Sequence, residues 1–354
     1  MKQNNSQPVP VAVKTGLGRE DIQFYDASCM PFAVYGVKYE KEKGFYRLEQ
    51  EIAAAVSPDV ARLAPVTSGG RIRFSTDSPY VAVRYKVAAD SVIPQSSRNG
   101  LSGVDLFWDT ERASQFVGAN YAAFNDLVAE HLFDLPGGGE RCYTLNLPIG
   151  NHVEYVYIGI KNGSSIGPGK SYRPLDPIVY YGSSITMGGC AGRPGCTYQS
   201  IIARHTDVDF INLGFAGAAK GEKAIAEYMR ELKMSVFVCD YDHNSPRDEL
   251  EANHYRMYQT IREKHPDIPY LMVTMPGLDI FNQKEADLRR QTIYSSYLRA
   301  KGEGDRHVYF VDGGTFWAGQ DSGSCTEDNI HPNDHGFVLM ARAIGEVLDR
   351  TGVI

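Results

Sequence analysis

The sequence contains no long hydrophobic run. None of its apolar stretches approaches the roughly 20 residues that a membrane-spanning helix needs. The N-terminal segment, MKQNNSQPVPVAVKTG, also lacks the apolar stretch of a secretory signal peptide. We therefore expect a cytoplasmic protein with no membrane partner.

Cysteine is scarce, and its spacing fits neither a metal site nor a redox motif. Six cysteines occur in 354 residues, with no CxxC pair and no zinc-ligand spacing. Only Cys190 and Cys196 lie close together in the sequence, and in a reducing cytoplasm we expect them to be small packing residues rather than a disulfide. The sequence predicts no bound metal.

Positive charge is not in excess. The net charge is −7 and the isoelectric point lies near 5.7, so the chain has no electrostatic attraction for nucleic acid. With 43% hydrophobic and 22% charged residues, the composition is that of an ordinary soluble globular protein. The chain is long enough for two domains.

Three familiar motifs occur only in incomplete form. SSIGPGKS has Ser164 where a phosphate-binding P-loop needs its first glycine. GFAGAAKG has the wrong glycine spacing for a dinucleotide turn. Thr186 stands where the nucleophile elbow GxSxG needs its last glycine. These gaps argue against a nucleotide cofactor and against an α/β-hydrolase in the strict sense, and nothing else indicates an organic cofactor.

The first half of the chain alternates with period two, which is typical of strands. RIRFSTDSPYVAVRYKV predicts a hairpin with its turn at Asp77-Ser78-Pro79 and with Arg84 and Lys86 on the solvent face. GVDLFWDT and HVEYVYIGI predict further short strands. Many short strands separated by turns indicate a jelly-roll-like β-sandwich over residues 1–165, interrupted by a helix-permissive stretch at 121–134.

After a Gly- and Pro-rich linker at 166–176, the pattern changes to alternating strands and helices over residues 177–354. Continuous apolar strands between helices predict a parallel sheet covered on both faces, with flavodoxin-like topology. The predicted strands are Ile178–Tyr181, Asp209–Asn212, Val236–Cys239, Tyr270–Thr274 and Val308–Val311. The longer predicted helices are Arg247–Lys264, Glu285–Ala300 and Asp334–Arg350.

Four polar segments fall where this topology would bring them to one edge of the sheet. Open α/β sheets bind ligands at the carboxyl ends of their strands, and three of the segments directly follow a predicted strand. The fourth precedes the last helix. The segments are GSSIT (182–186), NLGFAG (212–217), CDYDHNSP (239–246) and EDNIHPNDHGF (327–337).

These segments contain the groups that acyl transfer from an ester requires. A hydroxyl nucleophile is weak unless a neighbouring base activates it, and Ser184 and His331 are the candidates for the two roles. Asp328, three residues before the histidine, can orient its imidazole. Glu327 and Asp334 are the competing carboxylates for that role.

A developing oxyanion needs preorganised hydrogen-bond donors. The candidates are the backbone N–H groups of Ser184 and Gly217 and the side-chain amide of Asn244. Each also has a structural alternative. Ser184 alone fits a helix N-cap, Asn244 before Ser-Pro fits a turn, and Gly217 fits tight backbone packing.

In their order along the chain, these segments resemble the SGNH/GDSL hydrolase family. GSSIT, NLGFAG, an asparagine after the third strand and DNIHP are similar to the four blocks of that family. GVDLFW (103–108) and GSSITMGGCAGRPG are similar to a two-domain subgroup that carries a β-sandwich in front of the hydrolase domain. Two departures are visible: Ser183 replaces the aspartate of GDS, and Asn244 lies in DHNSP rather than GxND.

The resemblance implies a serine esterase that acts through a Ser184–His331–Asp328 triad, with Ser184, Gly217 and Asn244 as the oxyanion hole. It favours small acyl groups, above all acetyl, on carbohydrate, so that the expected partner is an acetylated oligosaccharide. The protein could also form a homo-oligomer.

Three further residues are candidate substrate contacts. Arg193 lies in the glycine-rich loop after Ser184, and a surface role is an equal alternative. Asp242 lies two residues before Asn244, where it is a candidate to support the site residues, to contact substrate or to be a solvated loop charge, and the last is the preferred interpretation. Trp317 can stack on a sugar or pack in the core.

Two other functions remain open. A lipase, thioesterase or lysophospholipase on the same triad would require an extended apolar acyl channel. A carbohydrate-binding protein with a silent hydrolase half would require no working nucleophile.

Overall fold

The computed structural model describes residues 8–111, 113–135, 138–277 and 282–354. The part of the chain before residue 170 contains strands and three short helices. The strands are β1 (Pro10–Val11), β2 (Ile22–Asp26), β3 (Ala33–Tyr35), β4 (Lys38–Glu40), β5 (Gly44–Tyr46), β6 (Arg71–Thr76), β7 (Tyr80–Val87), β8 (Gly103–Asp109), β9 (Ser114–Tyr121), β10 (Val128–Asp134), β11 (Arg141–Asn146), β12 (Val153–Lys161) and β13 (Ile166–Pro168). The helices are α1 (Gln50–Val56), α2 (Pro58–Leu63) and α3 (Arg98–Ser102).

These strands form two antiparallel sheets. In one, β12 lies between β2 and β7, β10 pairs with β7, and β5 and β4 continue from the start of β12. In the other, the order is β13-β6-β11-β8-β9, with β3 also on β6. Residues from both sheets, such as Phe74, Tyr143, Val83 and Ile158, share one buried core. The predicted β-sandwich is confirmed.

The predicted hairpin at residues 71–87 is wrong. Strand β6 pairs with β11, and β7 pairs with β12 and β10, so the turn at Asp77-Ser78-Pro79 carries the chain from one sheet to the other. The Ser78 hydroxyl secures the crossing, because it donates to Tyr80 O (2.6 Å) and accepts from Lys161 N (3.0 Å). Alternation shows which face a residue takes and does not show which strand is its neighbour.

The helix-permissive stretch at 121–134 is not helical. Residues 128–134 form β10, paired antiparallel with β7 from Val128 opposite Lys86 to Asp134 opposite Tyr80. Pairing with a buried neighbour outweighs the weak local helix propensity of this stretch.

The second part of the chain alternates strand and helix. Its strands are β14 (Ile178–Gly182), β15 (Phe210–Gly214), β16 (Val236–Asp240), β17 (Tyr270–Val273) and β18 (Val308–Val311). Its helices are α4 (Ser184–Met187), α5 (Tyr198–Thr206), α6 (Lys223–Glu231), α7 (Arg247–Arg262), α8 (Gln283–Gly302) and α9 (Asp334–Thr351).

These strands are parallel, in the order β15-β14-β16-β17-β18. The order corresponds to 2-1-3-4-5, the flavodoxin-like arrangement, so that prediction is confirmed. Alternate residues of β14 enter different cores, with Val179 facing α6, α7 and α8 and Ile178 facing α5 and α9. The result is a three-layer αβα structure. In the part of the chain that the structure describes, no helix is both long and apolar enough to cross a bilayer.

Helices α1 and α2 precede most of the sandwich in the sequence, yet they pack on the parallel sheet. Ala53 and Leu63 share a buried core with Ile225 and Met229 of α6. Helix α1 therefore extends the helical layer on that face. The sequence pattern did not predict these two helices.

Candidate active site

Ser184 stands at the end of the first parallel strand, where β14 gives way to α4. Ser183 is the N-cap of this helix, and its hydroxyl accepts a hydrogen bond from Ile185 N (3.1 Å). Ser184 is therefore not the cap, and its own hydroxyl remains available. Gly182 is required here, because a Cβ would come within 2.1 Å of Asp240 O and 2.0 Å of the Thr186 hydroxyl.

The structure brings the predicted base and carboxylate to this hydroxyl. Ser184 Oγ lies 2.8 Å from His331 Nε2, and His331 Nδ1 lies 2.7 Å from Asp328 Oδ2. The other carboxylate oxygen, Oδ1, accepts hydrogen bonds from His331 N (2.8 Å) and Ile330 N (3.1 Å). Asn329, with φ of 67°, allows the sharp turn that this arrangement needs.

The hydrogen bonds to Asp328 keep it ionised. Burial raises the pKa of its carboxyl, but hydrogen bonds from the backbone and imidazole of His331 outweigh burial and lower the pKa overall. The competing carboxylate Asp334 is engaged elsewhere, since its Oδ1 accepts from Gly192 N (2.6 Å). An ionised Asp328 favours the tautomer of His331 with its proton on Nδ1 and a free lone pair on Nε2 facing Ser184.

Ser184 N–H lies at the start of α4, and the other two predicted oxyanion donors lie on neighbouring loops. Gly217 adopts φ of +70° after β15, a conformation that favours glycine. Asn244 Nδ2 donates to Phe215 O (2.9 Å), which ties the loop after β16 to the loop after β15 and leaves a second amide N–H. Among the described residues, no acceptor binds the backbone N–H of Ser184 or of Gly217.

The nucleophile helix rests on a buried polar network. Thr186 O accepts hydrogen bonds from Gln199 Nε2 and Asn212 Nδ2, both at 2.7 Å. The Thr186 hydroxyl binds the carboxyl of Asp240 (3.1 Å). Burial, with the nearby charge of Asp242, raises the pKa of the Asp240 carboxyl well above its usual range. A protonated carboxyl here avoids a buried negative charge beneath the nucleophile.

A cavity of about 140 Å³ opens beside Ser184 and His331. Both halves of the chain line it. The second half contributes Met187 and Ala216, and the sandwich contributes Ile93, Gln95, Leu101 and Ile149 among others. Sequence reasoning missed the sandwich residues, because no local motif marks a side chain that reaches a site formed by distant segments.

Asp105, within the stretch GVDLFW, also joins the halves. Its buried carboxylate accepts from Asn146 Nδ2 (2.7 Å) and from Gly195 N (2.8 Å) in the loop after the nucleophile. Burial raises the pKa of this carboxyl, and the hydrogen bonds from Asn146 and Gly195 oppose the rise. The sequence showed only that this stretch is similar to the two-domain subgroup. The structure shows that its aspartate binds the loop after the nucleophile.

The three candidate substrate contacts do not reach the cavity. Arg193 turns toward the sandwich, with Nε 3.4 Å from Asp105 Oδ2 and its guanidinium 4.0 Å from the ring centre of Phe116. Trp317 is buried, with its ring centre 6.0 Å from that of Phe316. The cavity lining in the described chain includes none of the three. The predicted contact roles of Arg193 and Trp317 are not supported by this geometry.

Asp242 is not a solvated loop charge. Its side chain is 1% exposed, and Oδ2 accepts from Met275 N (3.0 Å). Burial raises its pKa to about 6, although the Met275 hydrogen bond and the charge of Arg289 act in the opposite direction. The position two residues before Asn244 suggested exposure, but the loop folds inward over the end of the sheet.

One group of side chains could in principle hold a metal ion. Within the described residues, ligand atoms of Cys190, Asp328 and His331 lie within 4.8 Å of one another. Burial raises the pKa of the Cys190 thiol to about 11, so a metal would have to displace a strongly held proton from this thiol. Both imidazole nitrogens of His331 are also engaged, by Ser184 and Asp328. The donor set does not fit a metal.

Two family models match the chain. The model of the GDSL-like lipase/acylhydrolase family matches residues 175–349. A second model, GxDLY, described as the N-terminus of Esterase_SGNH_hydro-type, matches residues 22–166. No curated protein sequence matches the chain.

Solved structures share the fold over nearly the whole chain. A Bacteroides ovatus protein described as a GDSL-like lipase is 25% identical, with a TM-score of 0.85 over 93% of this chain and 98% of its own. The salicylyl-acyltransferase SsfX3 of a tetracycline biosynthetic pathway is 20% identical, with a TM-score of 0.78 over 95% and 99%.

A family two carbohydrate esterase from Clostridium thermocellum, solved with cellohexaose, is 15% identical, with a TM-score of 0.60 over 82% of this chain and 94% of its own. The two family models between them reach from residue 22 to residue 349. Residues 175–349 belong to the GDSL-like lipase/acylhydrolase family, and residues 22–166 in front of them match the N-terminal region of SGNH-type esterases.

Proposed function

We propose that the protein is a serine esterase that removes small acyl groups, above all acetyl, from carbohydrates. One observation carries this proposal: the continuous chain of contacts from Ser184 Oγ to His331 to Asp328, at 2.8 and 2.7 Å, beside a small cavity. Such a chain is the arrangement that activates a hydroxyl nucleophile.

In the first half-reaction, Ser184 Oγ attacks the ester carbonyl while His331 Nε2 takes its proton. The carbonyl oxygen becomes an oxyanion, and the tetrahedral intermediate collapses by breaking the bond to the alcohol oxygen. His331 returns the proton to that oxygen, so the alcohol leaves neutral. Ser184 then carries the acyl group as an ester.

In the second half-reaction, water replaces the alcohol. His331 Nε2 accepts a proton from the water as its oxygen attacks the acyl carbon, and the bond to Ser184 Oγ breaks. The proton passes back to Ser184, and the carboxylic acid leaves. Asp328 stays ionised throughout and stabilises the imidazolium that forms twice in each cycle.

The oxyanion is stabilised by donors that the fold holds in place. The N–H groups of Ser184 and Gly217 and the free amide N–H of Asn244 are the donors that this proposal assigns. Because the Asn244–Phe215 hydrogen bond joins the loops of Gly217 and Asn244, these two donors need little reorganisation during the reaction.

The size of the cavity supports a short acyl group. Pockets for larger ligands measure roughly 300–1,000 Å³, whereas this cavity measures about 140 Å³. Its apolar lining by Leu101, Ile149 and Met187 suits the methyl group of an acetyl ester. A long acyl chain, as in a lipase or thioesterase substrate, would have to extend beyond this cavity.

Two findings support carbohydrate as the alcohol. The Clostridium thermocellum esterase of the same fold was solved with cellohexaose. The resemblance of GVDLFW and of the extended first block to the two-domain subgroup points in the same direction. The experiment below therefore tests the acyl group and the sugar separately.

The test is release of acetate from acetylated manno-, xylo- and cello-oligosaccharides, followed by NMR, in wild type and Ser184→Ala. We expect the substitution to lower kcat by roughly 10⁴- to 10⁶-fold, as loss of a triad nucleophile does elsewhere. Ser183→Ala is the matched control, because it removes the adjacent hydroxyl and costs only about 1 kcal/mol of cap stability.

Undiminished hydrolysis by Ser184→Ala would refute the nucleophile. A series of p-nitrophenyl esters from acetate to dodecanoate tests the acyl group, and rates that increase with chain length would favour the lipase or thioesterase alternative. Sugar binding by the wild type without ester hydrolysis would identify a carbohydrate-binding protein.

A further inference from the structure

An exposed apolar patch lies on the sandwich at two loops that are far apart in the sequence. One loop precedes α3 and carries Val92, 65% exposed, and Ile93, 41% exposed. The other follows β9 and carries Phe124, 64% exposed, next to Tyr121 at the end of that strand. Exposed apolar side chains that cluster in this way mark binding sites on soluble proteins.

Arg98 and Asp90 hold the two loops together. Arg98 Nε and Nη2 donate to Ala122 O and Ala123 O of the second loop, both at 3.0 Å, and Nη1 donates to Ser91 O of the first at 3.3 Å. Asp90 forms an ion pair with Arg98 and accepts from Asn125 N (2.9 Å). These contacts fix the two loops of the patch relative to each other.

The same arginine fixes the ring of Phe124. Its guanidinium lies 4.8 Å from the ring centre, which is the geometry of a cation–π contact. This contact occupies one face of the ring. The side chain is nevertheless 64% exposed, which leaves ring surface available to a ligand.

The patch is continuous with the cavity at Ser184. Ile93, Gln95 and Ser96, from the first loop, line that cavity. Ser97 then donates to Gly192 O (2.7 Å), in the loop after the nucleophile, and so holds the sandwich loop beside the site. This loop therefore connects the patch to the cavity beside Ser184.

We propose that Phe124 is the stacking platform of a subsite for the sugar part of the substrate, a neutral oligosaccharide. The inference rests on the proposed function, since it concerns the alcohol that the esterase releases. The C–H groups of a pyranose ring carry a partial positive charge, which the negative face of an aromatic ring attracts. Gln95, exposed at the cavity, can donate to and accept from sugar hydroxyls.

The charges of the patch favour a neutral ligand over an anionic one. Arg98 is committed to Asp90, to carbonyl oxygens and to the Phe124 ring, so its charge is already balanced. Asp90 and Asp126 border the patch and would repel an anion. A neutral sugar chain needs no free positive charge from Arg98 and is not repelled by Asp90 or Asp126.

The test compares two substrates for each variant, an acetylated oligosaccharide and p-nitrophenyl acetate, which has no sugar. We expect Phe124→Ala to lower the ratio of the two kcat/KM values roughly three- to tenfold, the contribution of one aromatic contact. The loss should lie in KM for the oligosaccharide, and Phe124→Tyr should restore the ratio.

Phe116→Ala is the matched control. Phe116 is also an exposed ring of the sandwich with an arginine, Arg193, 4.0 Å from its ring centre, but it lies outside the two loops that Arg98 joins. We expect this variant to keep the wild-type ratio. An equal loss in both variants would assign the effect to general destabilisation and overturn the inference.

A binding measurement completes the test. In the Ser184→Ala background, calorimetric titration with cello-, xylo- and mannohexaose should give a Kd that Phe124→Ala weakens roughly three- to tenfold. Absence of binding by every hexaose, or binding that Phe124→Ala leaves unchanged, would overturn the subsite. A change of oligomeric state in Phe124→Ala, seen by analytical ultracentrifugation, would instead identify the patch as a contact between copies of the chain.

The two proposals fail separately. If Ser184→Ala abolishes p-nitrophenyl acetate hydrolysis while Phe124→Ala leaves the substrate ratio unchanged, the esterase stands and the sugar subsite falls. If Ser184→Ala remains active, the proposed function is refuted, and the subsite proposal that rests on it is refuted as well.

Discussion

At the scale of single residues, Asp328 uses each carboxylate oxygen for a different purpose. Oδ1 accepts the backbone N–H groups of Ile330 and His331 and so shapes the turn, while Oδ2 faces the imidazole. This geometry explains why the aspartate lies three residues before the histidine. At that spacing, one carboxylate can bind both the backbone of the turn and the imidazole of His331. The two uses can be separated by substitution.

We expect Asp328→Asn to abolish most activity and leave the fold intact. The amide oxygen still accepts the backbone N–H groups, but the NH₂ group now faces His331 Nδ1 and favours the tautomer with its proton on Nε2. That nitrogen can no longer accept the proton of Ser184. A kcat loss of roughly 10⁴-fold is expected, as for the equivalent change in other triads, with little change in Tm.

Two further variants sharpen this test. Asp328→Ala removes both functions and should lower Tm as well as kcat, because the turn loses its acceptor. Glu327→Gln changes the adjacent exposed carboxylate and should affect neither quantity. If Glu327→Gln were the more damaging change, a different carboxylate would orient the histidine.

Asp242 gives a prediction about stability and pH. Burial first of all raises its pKa to about 6, above the usual 3.8 of an unfolded chain. Stability from such a group is fully present below the unfolded pKa and is lost as the pH rises through about 6, because the native state resists losing the proton. The buried charge therefore costs free energy at neutral pH and above.

We expect Asp242→Asn to stabilise the protein, and more so at high pH. The amide oxygen can still accept from Met275 N, and no charge is buried. Urea unfolding should show a gain at pH 8 that exceeds the gain at pH 5 by about 1 kcal/mol. A gain of equal size at the two pH values would show that Asp242 does not titrate between them.

At the scale of secondary-structure elements, the sequence predicted the parallel sheet well and the sandwich less well. The predicted strand Val308–Val311 agrees with the structure residue for residue, and helix α7 begins at the predicted Arg247. Buried parallel strands are continuous apolar runs, and a helix must connect each one to the next parallel strand. The local sequence pattern is therefore enough to locate both the strands and the helices. The four polar segments were located by the same rule.

The failures share one physical cause. The sequence around 77–79 predicted a hairpin turn, and the sequence at 121–134 permitted a helix. Both interpretations were wrong because a local pattern does not show which strand pairs with the segment. Helices α1 and α2 are short, and their partner α6 is more than 150 residues away in the sequence. Contacts across such distances decide these elements, and no local signal carries them.

Arg47 shows how one buried side chain supports an element of the site. Its guanidinium donates to Asn212 O (3.1 Å) and Gly214 O (2.7 Å) at the end of β15, and to Leu63 O (3.1 Å) and Val66 O (2.7 Å) after α2. It therefore holds in place the strand end from which the Gly217 loop departs.

We expect Arg47→Met to lower both stability and kcat. Buried carbonyl groups that lose their donor cost about 1–3 kcal/mol each, so the loss of unfolding free energy should exceed about 2 kcal/mol. A displaced Gly217 loop should lower kcat roughly 10- to 100-fold, because the oxyanion donor moves. Arg62→Met, an exposed arginine on α2, is the matched control and should change neither urea unfolding nor kinetics. Unaltered kcat in Arg47→Met would separate this arginine from the site.

At the scale of the whole molecule, the two halves of the chain share their interior. Leu63 of α2 is buried in the core that covers the parallel sheet, and Arg71 of β6 pairs with Asp209 at 2.6 Å. Leu101 and Ile149 complete the cavity beside Ser184. A sandwich that merely preceded an independent hydrolase would make none of these contacts, so we expect the halves to unfold together.

The chain contains two tryptophans, one in each half, which makes this expectation measurable. Trp108 packs against the sandwich core and Trp317 against α9 and its neighbours. Each single Trp→Phe variant leaves one fluorescent reporter. We expect both variants to give one urea midpoint. Leu63→Ala should shift both by the same amount, about 2–4 kcal/mol in unfolding free energy, although Leu63 precedes the linker and Trp317 follows it.

The reason for a common transition is the position of α1 and α2 against α6. Once these helices leave, Ile225 and Met229 lose apolar neighbours that nothing else in the described core replaces, and the parallel sheet loses part of one covering layer. Cooperative unfolding follows when each half buries surface of the other. Two separate midpoints, with Leu63→Ala moving only the one reported by Trp108, would mean that the hydrolase part is stable without these helices.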